Sequence, residues 1–157
     1  AKKYGYRIKY VLHPIVSAQV NDFDKNDYVD IIPAVGDMSY ETMFRESSLM
    51  VTDFSGIQFD FAYMRKPLVY LHHKDIPQHY EEGTFFYDTM AFGEIAHDND
   101  ELIDLLCEYM ASGCKMKEEY VRRADDFFYY NDHNNCKRIY DTMIEYQEKK
   151  ILPYRQK

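Results

Sequence analysis

Residues 49–71 read LMVTDFSGIQFDFAYMRKPLVYL, and this stretch decides the fold of the chain. The apolar run at 49–51 predicts a short strand, and the apolar run at 68–71 predicts a second one. Between them, the apolar residues from Ile57 to Met64 predict a buried helix. A strand, a helix and a strand in this order form a βαβ unit, so the two strands are predicted to be parallel.

The helix of this unit is predicted to begin at a serine N-cap. Ser55 precedes the helix and Gln58 follows three positions later, which is the spacing of a capping box. Ligands of parallel sheets bind beyond the carboxyl ends of the strands. Four residues occupy that position here: Thr52, Asp53, Ser55 and Gly56. A helix that starts there directs unpaired N–H groups and its positive dipole end toward the ligand, so the sequence predicts a phosphate at this edge.

Strand and helix patterns also precede the central unit. Strands are predicted at 6–12 and 28–33, and a helix capped by Ser39 is predicted at 39–46. Together with the two central strands, they predict an α/β fold, a Rossmann-like parallel sheet flanked by helices. All four strands are expected in one small sheet.

The pattern changes after the second central strand. Residues 72–94 contain Pro, Gly, His and acidic residues without a clear period. A loop of this length in a compact domain is usually functional. Three helices are predicted beyond it, at 100–111 with Asp100 as the cap, at 115–128, and from residue 133 or 134 to residue 150.

The composition excludes several classes of protein. A length of 157 residues suits one domain, and a hydrophobic content of 46% supports a core, which excludes a disordered chain. The sequence contains no apolar run long enough to span a bilayer. The net charge of −8 argues against non-specific binding of nucleic acids, which depends on Lys and Arg.

Cysteines and histidines form no recognisable metal motif. Three cysteines lack a CxxC pair and are predicted to be reduced thiols: Cys107, Cys114 and Cys136. The side chains of His72 and His73 would point in opposite directions along an extended chain. With His79, they are therefore not predicted to bind a metal.

A histidine ends the first predicted strand. Pro14 keeps His13 out of the helical region, so the imidazole is placed at the carboxyl end of that strand. It is expected at the same edge of the same sheet as Asp53 and Ser55. Such a histidine can be a general base or, as a cation, a phosphate ligand, and a purely structural role is the alternative.

The residues of the central turn are predicted to contact different groups of the ligand. A carboxylate beside a phosphate is unfavourable unless it bonds a hydroxyl or a cation. Asp53 is therefore predicted to hold an alcohol or to orient the turn, while Ser55 and the Gly56 amide meet the phosphate. The alternative is that Ser55 only caps the helix and Asp53 only ends the strand.

The order and spacing of these motifs resemble those of the CDP-glycerol glycerophosphotransferase family, the teichoic-acid polymerases and primases of Gram-positive bacteria. The family pattern at the centre is close to ITDYSS…FDF…KP. Over nearly the whole chain the resemblance is carried by LHP at 12–14, LMVTDFSG at 49–56, FDF at 59–61, KP at 66–67, GTFFYD at 83–88, FGE at 92–94 and DHNNCKR at 132–138.

That family has a two-domain GT-B glycosyltransferase fold, and this chain resembles most of its C-terminal, nucleotide-binding half. The resemblance implies that residues 1–157 form one donor-nucleotide-binding domain, truncated at its first strand, with the acceptor-binding N-terminal domain outside this chain. The fragment alone is expected to be inactive. The implied donor is a CDP-polyol, CDP-glycerol or CDP-ribitol, and the implied acceptor is a polymer or lipid-linked chain. No cofactor is implied, and the full-length protein is expected in the cytoplasm, peripheral to the inner face of the cell membrane.

The resemblance also assigns roles to individual residues. His13 matches the family histidine of the HP motif, a base or a phosphate ligand. Asp53 and Ser55 match the Asp and the first Ser of the central motif, near the glycerol phosphate and pyrophosphate of the donor. Two further motifs are implied in donor binding, through Gly83 in the first and through Asp132 and Arg138 in the second.

Because the sequence departs from the family pattern at two positions, a different kind of donor is an alternative. Gly56 replaces the second Ser of the central motif, and Glu82 stands where Arg often precedes Gly83. Each change removes a group that would bind a donor. The alternative function is therefore a GT-B glycosyltransferase that uses a nucleotide sugar for cell-wall or capsular polysaccharide.

A signalling module is the alternative from another class. Asp53 and the Lys66–Pro67 pair superficially suit a response-regulator receiver, whose phosphorylated Asp ends a strand. A receiver, however, places its Lys-Pro pair two strands after the Asp. Here Lys66 follows Asp53 by thirteen residues and one helix, which argues against a receiver.

Overall fold

The computed structural model of the protein describes five stretches of the chain: residues 1–24, 26–34, 39–76, 83 and 85–149. The chain divides into two compact units, Ala1–Ala124 and Asp125–Lys157. The described strands all belong to the first unit. The central βαβ stretch at 49–71 therefore lies in that unit.

Five short strands form two parallel sheets in the described part of the chain. The strands are β1 (Ile8–Val11), β2 (Val29–Ile32), β3 (Met50–Thr52), β4 (Leu68–Leu71) and β5 (Gly93–Ala96). β1 pairs with β2, and β4 lies between β3 and β5 in the second sheet. In the central βαβ unit, Met50 lies opposite Leu68 and Thr52 lies opposite Tyr70. The predicted α/β fold with parallel strands is confirmed.

The expectation that all strands share one sheet is wrong for the described residues. β1 pairs with β2 alone, and no ladder joins β1 to β3 within the described ranges. Apolar residues on these two strands stay exposed, with Ile8 at 46%, Tyr10 at 50% and Val51 at 44%. Periodicity along the chain predicts that strands exist, but it does not specify which strands exchange hydrogen bonds.

Helices connect the strands and follow them. The α-helices are α1 (Tyr40–Glu46), α2 (Ile57–Tyr63), α3 (Tyr87–Met90), α4 (Asn99–Ala111), α5 (Glu118–Phe127) and α6 (Asn135–Glu148), and a 3-10 helix (Pro14–Asp22) joins β1 to β2. The predicted cap of α1 is confirmed, because Ser39 Oγ accepts a hydrogen bond from the Thr42 amide at 3.3 Å. The last two predicted helices form within three residues of the expected bounds, apart from residue 150, which lies outside the described residues.

The cap of α4 is Asp98 rather than the predicted Asp100. Asp98 Oδ1 accepts a hydrogen bond from the Glu101 amide at 3.0 Å, and Glu101 Oε2 accepts one from the His97 amide at 2.7 Å. Asp98 has an extended backbone, as an N-cap residue requires, whereas Asp100 already lies in the first turn. The helix therefore begins one residue earlier than predicted.

The predicted loop at 72–94 contains regular structure. α3 lies within it and β5 begins at Gly93, whereas residues 77–82 and 84 lie outside the described part of the chain. β5 escapes a periodicity search because it has four residues and starts with Gly and Glu, both poor strand formers. The strand forms because it pairs in parallel with β4, where Gly93 lies opposite Leu68, and not because its own sequence favours a strand.

The core of the first unit is centred on β4. Leu68, Val69 and Tyr70 are fully buried, as expected for the middle strand of a parallel sheet that is covered on both faces. On one face, Val69 packs in a cluster with Tyr109 of α4 and Ala96 of β5. The parallel pairing of Thr52 with Tyr70 places the carboxyl end of β4 next to the carboxyl end of β3.

Glu94 of the FGE motif holds β5 to the helices that follow it. Its Oε2 accepts a hydrogen bond from the Tyr109 hydroxyl at 2.7 Å, and its Oε1 lies 2.5 Å from Lys117 Nζ. Lys117 also pairs with Glu108 at 2.8 Å, and the two carboxylates raise the pKa of its ammonium group. This motif residue therefore has a structural partner on both α4 and the segment before α5.

Lys66 of the KP motif closes the end of α1. Its Nζ donates hydrogen bonds to the carbonyl oxygens of Phe44 at 2.7 Å, Arg45 at 2.8 Å and Ser47 at 2.7 Å. These are carbonyls that a helix leaves unpaired at its C-terminus, where a cation is also favoured by the helix dipole. Burial lowers the pKa of Lys66. The lysine thus joins α1 to the turn before β4.

Replacing Lys66 with methionine is expected to lower the free energy of unfolding by about 2 kcal/mol, because three carbonyl oxygens lose a charged donor. Urea denaturation followed by circular dichroism measures the change. Lys74→Met is the matched control, since Lys74 Nζ is exposed and lies 3.6 Å from Asp98, and it should change stability by less than about 0.5 kcal/mol. Equal effects of the two substitutions would contradict this role of Lys66.

Candidate functional site

The turn between β3 and α2 forms the carboxyl edge of the three-stranded sheet. Thr52 ends β3, and Asp53 and Gly56 are exposed while Ser55 is half-buried. Ser55 Oγ accepts a hydrogen bond from the Ile57 amide at 3.5 Å, and the Ser55 carbonyl accepts one from the Gln58 amide at 3.3 Å. The turn therefore presents one carboxylate, one hydroxyl and the Gly56 backbone at a single edge.

The predicted capping box at this turn is wrong. The N-cap of α2 is Gly56, one residue after the predicted Ser55, and it provides no side-chain cap. Gln58 turns into the core, where its amide bonds two tyrosine hydroxyls, so it is not available to the backbone of Ser55. The spacing matched a capping box, but burial decided the direction of the Gln58 side chain.

A buried polar network supports the turn from below. The Tyr70 hydroxyl donates to Gln58 Oε1 at 2.8 Å and accepts from the Phe92 amide at 3.3 Å, and Gln58 Nε2 donates to the Tyr87 hydroxyl at 3.3 Å. Burial raises the pKa of Tyr70, which therefore stays neutral. The network ties α2 to β4 and α3, since each of these elements supplies one member.

An aromatic cluster beside the turn was missed by the sequence interpretation. Phe54 stacks on His72, the first residue after β4, with ring centroids 4.1 Å apart and planes at 15°. Tyr87 meets both rings edge-on, at 5.6 Å from Phe54 and 4.6 Å from His72. Two features of the sequence could have indicated this cluster: the aromatic residue inside the DFSG turn and the histidine that follows the neighbouring strand.

His13 follows β1 and starts the 3-10 helix. Its side chain is exposed, and its Nδ1 accepts a hydrogen bond from the Ile15 amide at 3.3 Å. Ser17 Oγ donates to the His13 carbonyl at 3.3 Å and accepts from the Ala34 amide at 3.0 Å. Because β1 and β3 belong to different sheets, the prediction that His13 and Asp53 share an edge of one sheet is wrong.

Gly83 is described only as an exposed residue. Its neighbours at 77–82 and 84 lie outside the described residues, among them His79 and Glu82.

Asp132 and Arg138 lie in the second unit, where they form an ion pair. Arg138 Nη1 also donates to Asn135 Oδ1 at 2.8 Å, and its guanidinium lies 3.6 Å from the Tyr130 ring centroid. Asp132 Oδ1 accepts a hydrogen bond from the Asn134 amide at 2.9 Å, and these contacts hold the pKa of its carboxyl well below the usual range. The pair orders the start of α6.

An open cleft of about 370 Å³ lies along β5, apart from the predicted site residues. Its lining includes Tyr87, Tyr120 and Arg123, and Arg123 Nη1 donates to the Ala91 carbonyl at 3.0 Å. None of the predicted donor-binding residues lines this cleft. Arg123 is a half-buried cation that the sequence interpretation did not consider.

The described ranges contain neither a candidate metal site nor a membrane-spanning helix. These residues contain no group of three His, Cys, Asp or Glu side chains that could hold a metal ion, and the three cysteines are free. None of the helices in the same ranges is long and apolar enough to cross a membrane.

Comparison with known proteins gives two matches to the chain. The model of the family described as CDP-Glycerol:Poly(glycerophosphate) glycerophosphotransferase matches residues 1–145. The minor teichoic acid biosynthesis protein GgaB of Bacillus subtilis (strain 168) is 37% identical over 151 residues, which cover 96% of this chain and 16% of that protein. The chain thus spans a small part of the length of this relative. No solved structure matches the chain.

Proposed function

Since the chain belongs to the CDP-glycerol:poly(glycerophosphate) glycerophosphotransferase family, we propose that it is the donor-binding part of an enzyme that transfers a polyol phosphate. The donor is a CDP-polyol, and the product is a teichoic-acid-like cell-wall polymer. The match of the family over residues 1–145 carries the proposal. It also confirms the resemblance drawn from the motifs.

The proposed reaction is a displacement at phosphorus. An acceptor hydroxyl attacks the β-phosphorus of the donor, which forms a new P–O bond. The bond between that phosphorus and the bridging oxygen breaks, and CMP leaves with the bridging oxygen. The hydroxyl proton passes to a base, and the polymer grows by one polyol phosphate. Such transfers depend mainly on positioning and on stabilisation of phosphoryl charge.

We assign donor binding to the turn between β3 and α2. The Ser55 hydroxyl accepts its bond from Ile57 through oxygen, so its proton can be donated to a phosphate. The exposed Asp53 carboxylate suits a polyol hydroxyl, and Thr52 adds a second hydroxyl at the same edge. α2 has only seven residues, so the assignment depends on these side chains and the Gly56 amide rather than on the helix dipole.

The geometry of His13 favours the phosphate ligand over the base. An imidazole that accepts at Nδ1 carries its proton on Nε2 when it is neutral. The Nε2–H of this exposed side chain is then a donor, which can bind a phosphate oxygen but cannot remove a proton. A base at Nε2 would require the bond from Ile15 to break first.

The remaining parts of the proposal concern the whole enzyme. We propose that this domain is the C-terminal half of a GT-B fold and that Gly83, Asp132 and Arg138 contribute to donor binding. An N-terminal domain would bind the polymer or lipid-linked acceptor. Because a lipid-linked acceptor would lie at the membrane, we place the full-length enzyme at the inner face of the cell membrane as a peripheral protein.

Calorimetric titration of the chain with CDP-glycerol, CDP, CMP, UDP and UDP-glucose tests the donor assignment. We expect cytidine-selective binding, weakened about tenfold by Ser55→Ala, because one hydrogen bond to a charged phosphate contributes about 1.4 kcal/mol. His13→Ala should weaken it similarly. Ser48→Ala, an exposed serine ahead of β3, is the matched control and should leave the affinity unchanged.

Two outcomes would contradict this assignment. A preference for UDP-glucose would favour the nucleotide-sugar glycosyltransferase, which the departures at Gly56 and Glu82 keep open. Failure of all five nucleotides to bind would show that this chain does not bind the donor by itself, and the full-length protein would then be titrated with the same nucleotides.

A further inference from the structure

His72 occupies a position that the proposed chemistry does not use. It follows β4 directly and lies beside the carboxyl end of β3. Its ring stacks on Phe54 at 4.1 Å, and Phe54 is the residue between Asp53 and Ser55. The histidine therefore contacts the middle of the turn to which donor binding is assigned.

The reactive atom of His72 is closed off from a ligand. Nε2 is buried and has no hydrogen-bond partner among the described residues. An inaccessible atom cannot touch a substrate unless the site rearranges, so His72 would act through its neighbours. A buried polar atom without a hydrogen-bond partner costs stability. Another contribution of the histidine is therefore expected to offset this cost.

The surroundings of His72 favour its neutral form. Burial lowers the pKa of its imidazole, and His97, the residue after β5, lowers it further. The backbone and carboxylate of Asp53 oppose this effect. The rings of Tyr87 and Tyr70 contact the imidazole, with centroids at 4.6 Å and 5.9 Å. A neutral, flat ring packs against Phe54 as another aromatic residue would.

We propose that His72 is a positioning residue that fixes the turn at 53–56 by stacking on Phe54. The stack holds the turn from the side of β4, and Tyr87 braces both rings from α3. Through Tyr87 and Gln58 the same assembly reaches the first turn of α2. The turn is thereby held on both of its flanks before any ligand arrives, which is the condition for preorganised binding. The ligand-binding consequence rests on the proposed function, whereas the ordering of the turn does not.

Amide hydrogen exchange of the full chain tests the ordering directly. Three amides report on the turn, because Ile57, Gln58 and Phe59 bond to Ser55 Oγ, to the Ser55 carbonyl and to the Gly56 carbonyl. In His72→Ala we expect these amides to exchange at least tenfold faster, while the Val69 amide in β4 changes less than twofold. His72→Phe keeps an aromatic ring and should restore exchange to within threefold of the wild type.

His73→Ala is the matched control. His73 is the next residue, but its Nδ1 accepts a hydrogen bond from the Asp75 amide at 3.2 Å and so belongs to the following turn. It should leave the three reporter amides unchanged. Unchanged exchange in His72→Ala would overturn the proposal, as would equal acceleration at Val69, which marks a global loss of stability. Failure of His72→Phe to restore protection would also overturn it, because the ring stack would then not be the cause.

Titration with CDP-glycerol separates this inference from the proposed function. If both hold, His72→Ala weakens binding at least fivefold and His72→Phe restores it to within twofold. If the turn loosens in His72→Ala but the wild type does not bind CDP-glycerol, the positioning role stands and the donor assignment fails. If the wild type binds and His72→Ala binds equally well, the preorganising role is refuted.

Discussion

Replacing Gly93 with alanine is expected to lower the free energy of unfolding by at least about 3 kcal/mol. A Cβ atom at Gly93 would lie 1.9 Å from the carbonyl oxygen of Leu68 and 2.6 Å from its carbonyl carbon. These are backbone atoms of β4, which is buried and paired on both sides, so they cannot move away. The substitution would separate β5 from β4. Since domains of this size are stable by about 5–15 kcal/mol, much of the native stability would be lost.

Gly56→Ala is the matched control for this prediction. A Cβ atom there has no neighbour within 4 Å, and the φ of Gly56 is −64°, which any residue adopts. The control should change the free energy of unfolding by less than about 1 kcal/mol. Urea denaturation of both variants provides the comparison. A Gly93→Ala protein with the midpoint of the wild type would show that β5 does not approach β4 this closely.

Replacing Phe61 with alanine should cost about 3–5 kcal/mol of unfolding free energy, which is the range for truncating a buried phenylalanine. The side chain is fully buried in α2. Its ring meets Phe44 of α1 edge-on at 6.0 Å, and Lys66 Nζ lies 5.6 Å from the ring centroid. The cavity would therefore open where α1, α2 and the end of the lysine side chain meet.

Phe86→Ala supplies the same chemical change at a solvent-exposed position, since Phe86 is 52% exposed. It should alter stability by less than about 1 kcal/mol. Thermal unfolding followed by calorimetry would measure both variants. A Phe61→Ala variant as stable as Phe86→Ala would mean that α2 is not anchored through this ring.

The sequence predicts those parts of the fold that depend on local chemistry. The strand at 68–71 and the helix capped by Ser39 have the predicted bounds to within one residue, because a buried apolar run and an N-cap are visible in a short window. β5 was missed because Gly93 is required by a contact with Leu68, twenty-five residues away. The separation into two sheets likewise depends on pairing between distant strands.

In the candidate site, too, the features that depend on local sequence could be predicted, and those that depend on contacts between distant residues could not. Asp53 and Ser55 could be placed at a strand end from the stretch 49–71 alone. The stack of Phe54 on His72 could not, because it joins a turn to the end of a neighbouring strand. Gln58 illustrates a direct conflict, since its spacing from Ser55 suits a capping box while two tyrosine hydroxyls draw its amide into the core.

The division into two sheets has a consequence for handling the protein. Among the described residues, every strand except β4 has a hydrogen-bonded partner on one side only, and strand edges with unpaired N–H and C=O groups recruit strands from other molecules. Two of these edges carry exposed apolar side chains, Tyr10 on β1 and Val51 on β3, which favour association between molecules. Repulsion between molecules that carry a net charge of −8 opposes this, and it vanishes near the isoelectric point of about 5.2. Colloidal solubility during purification therefore depends on buffers well above that pH and on moderate ionic strength, which preserves the repulsion.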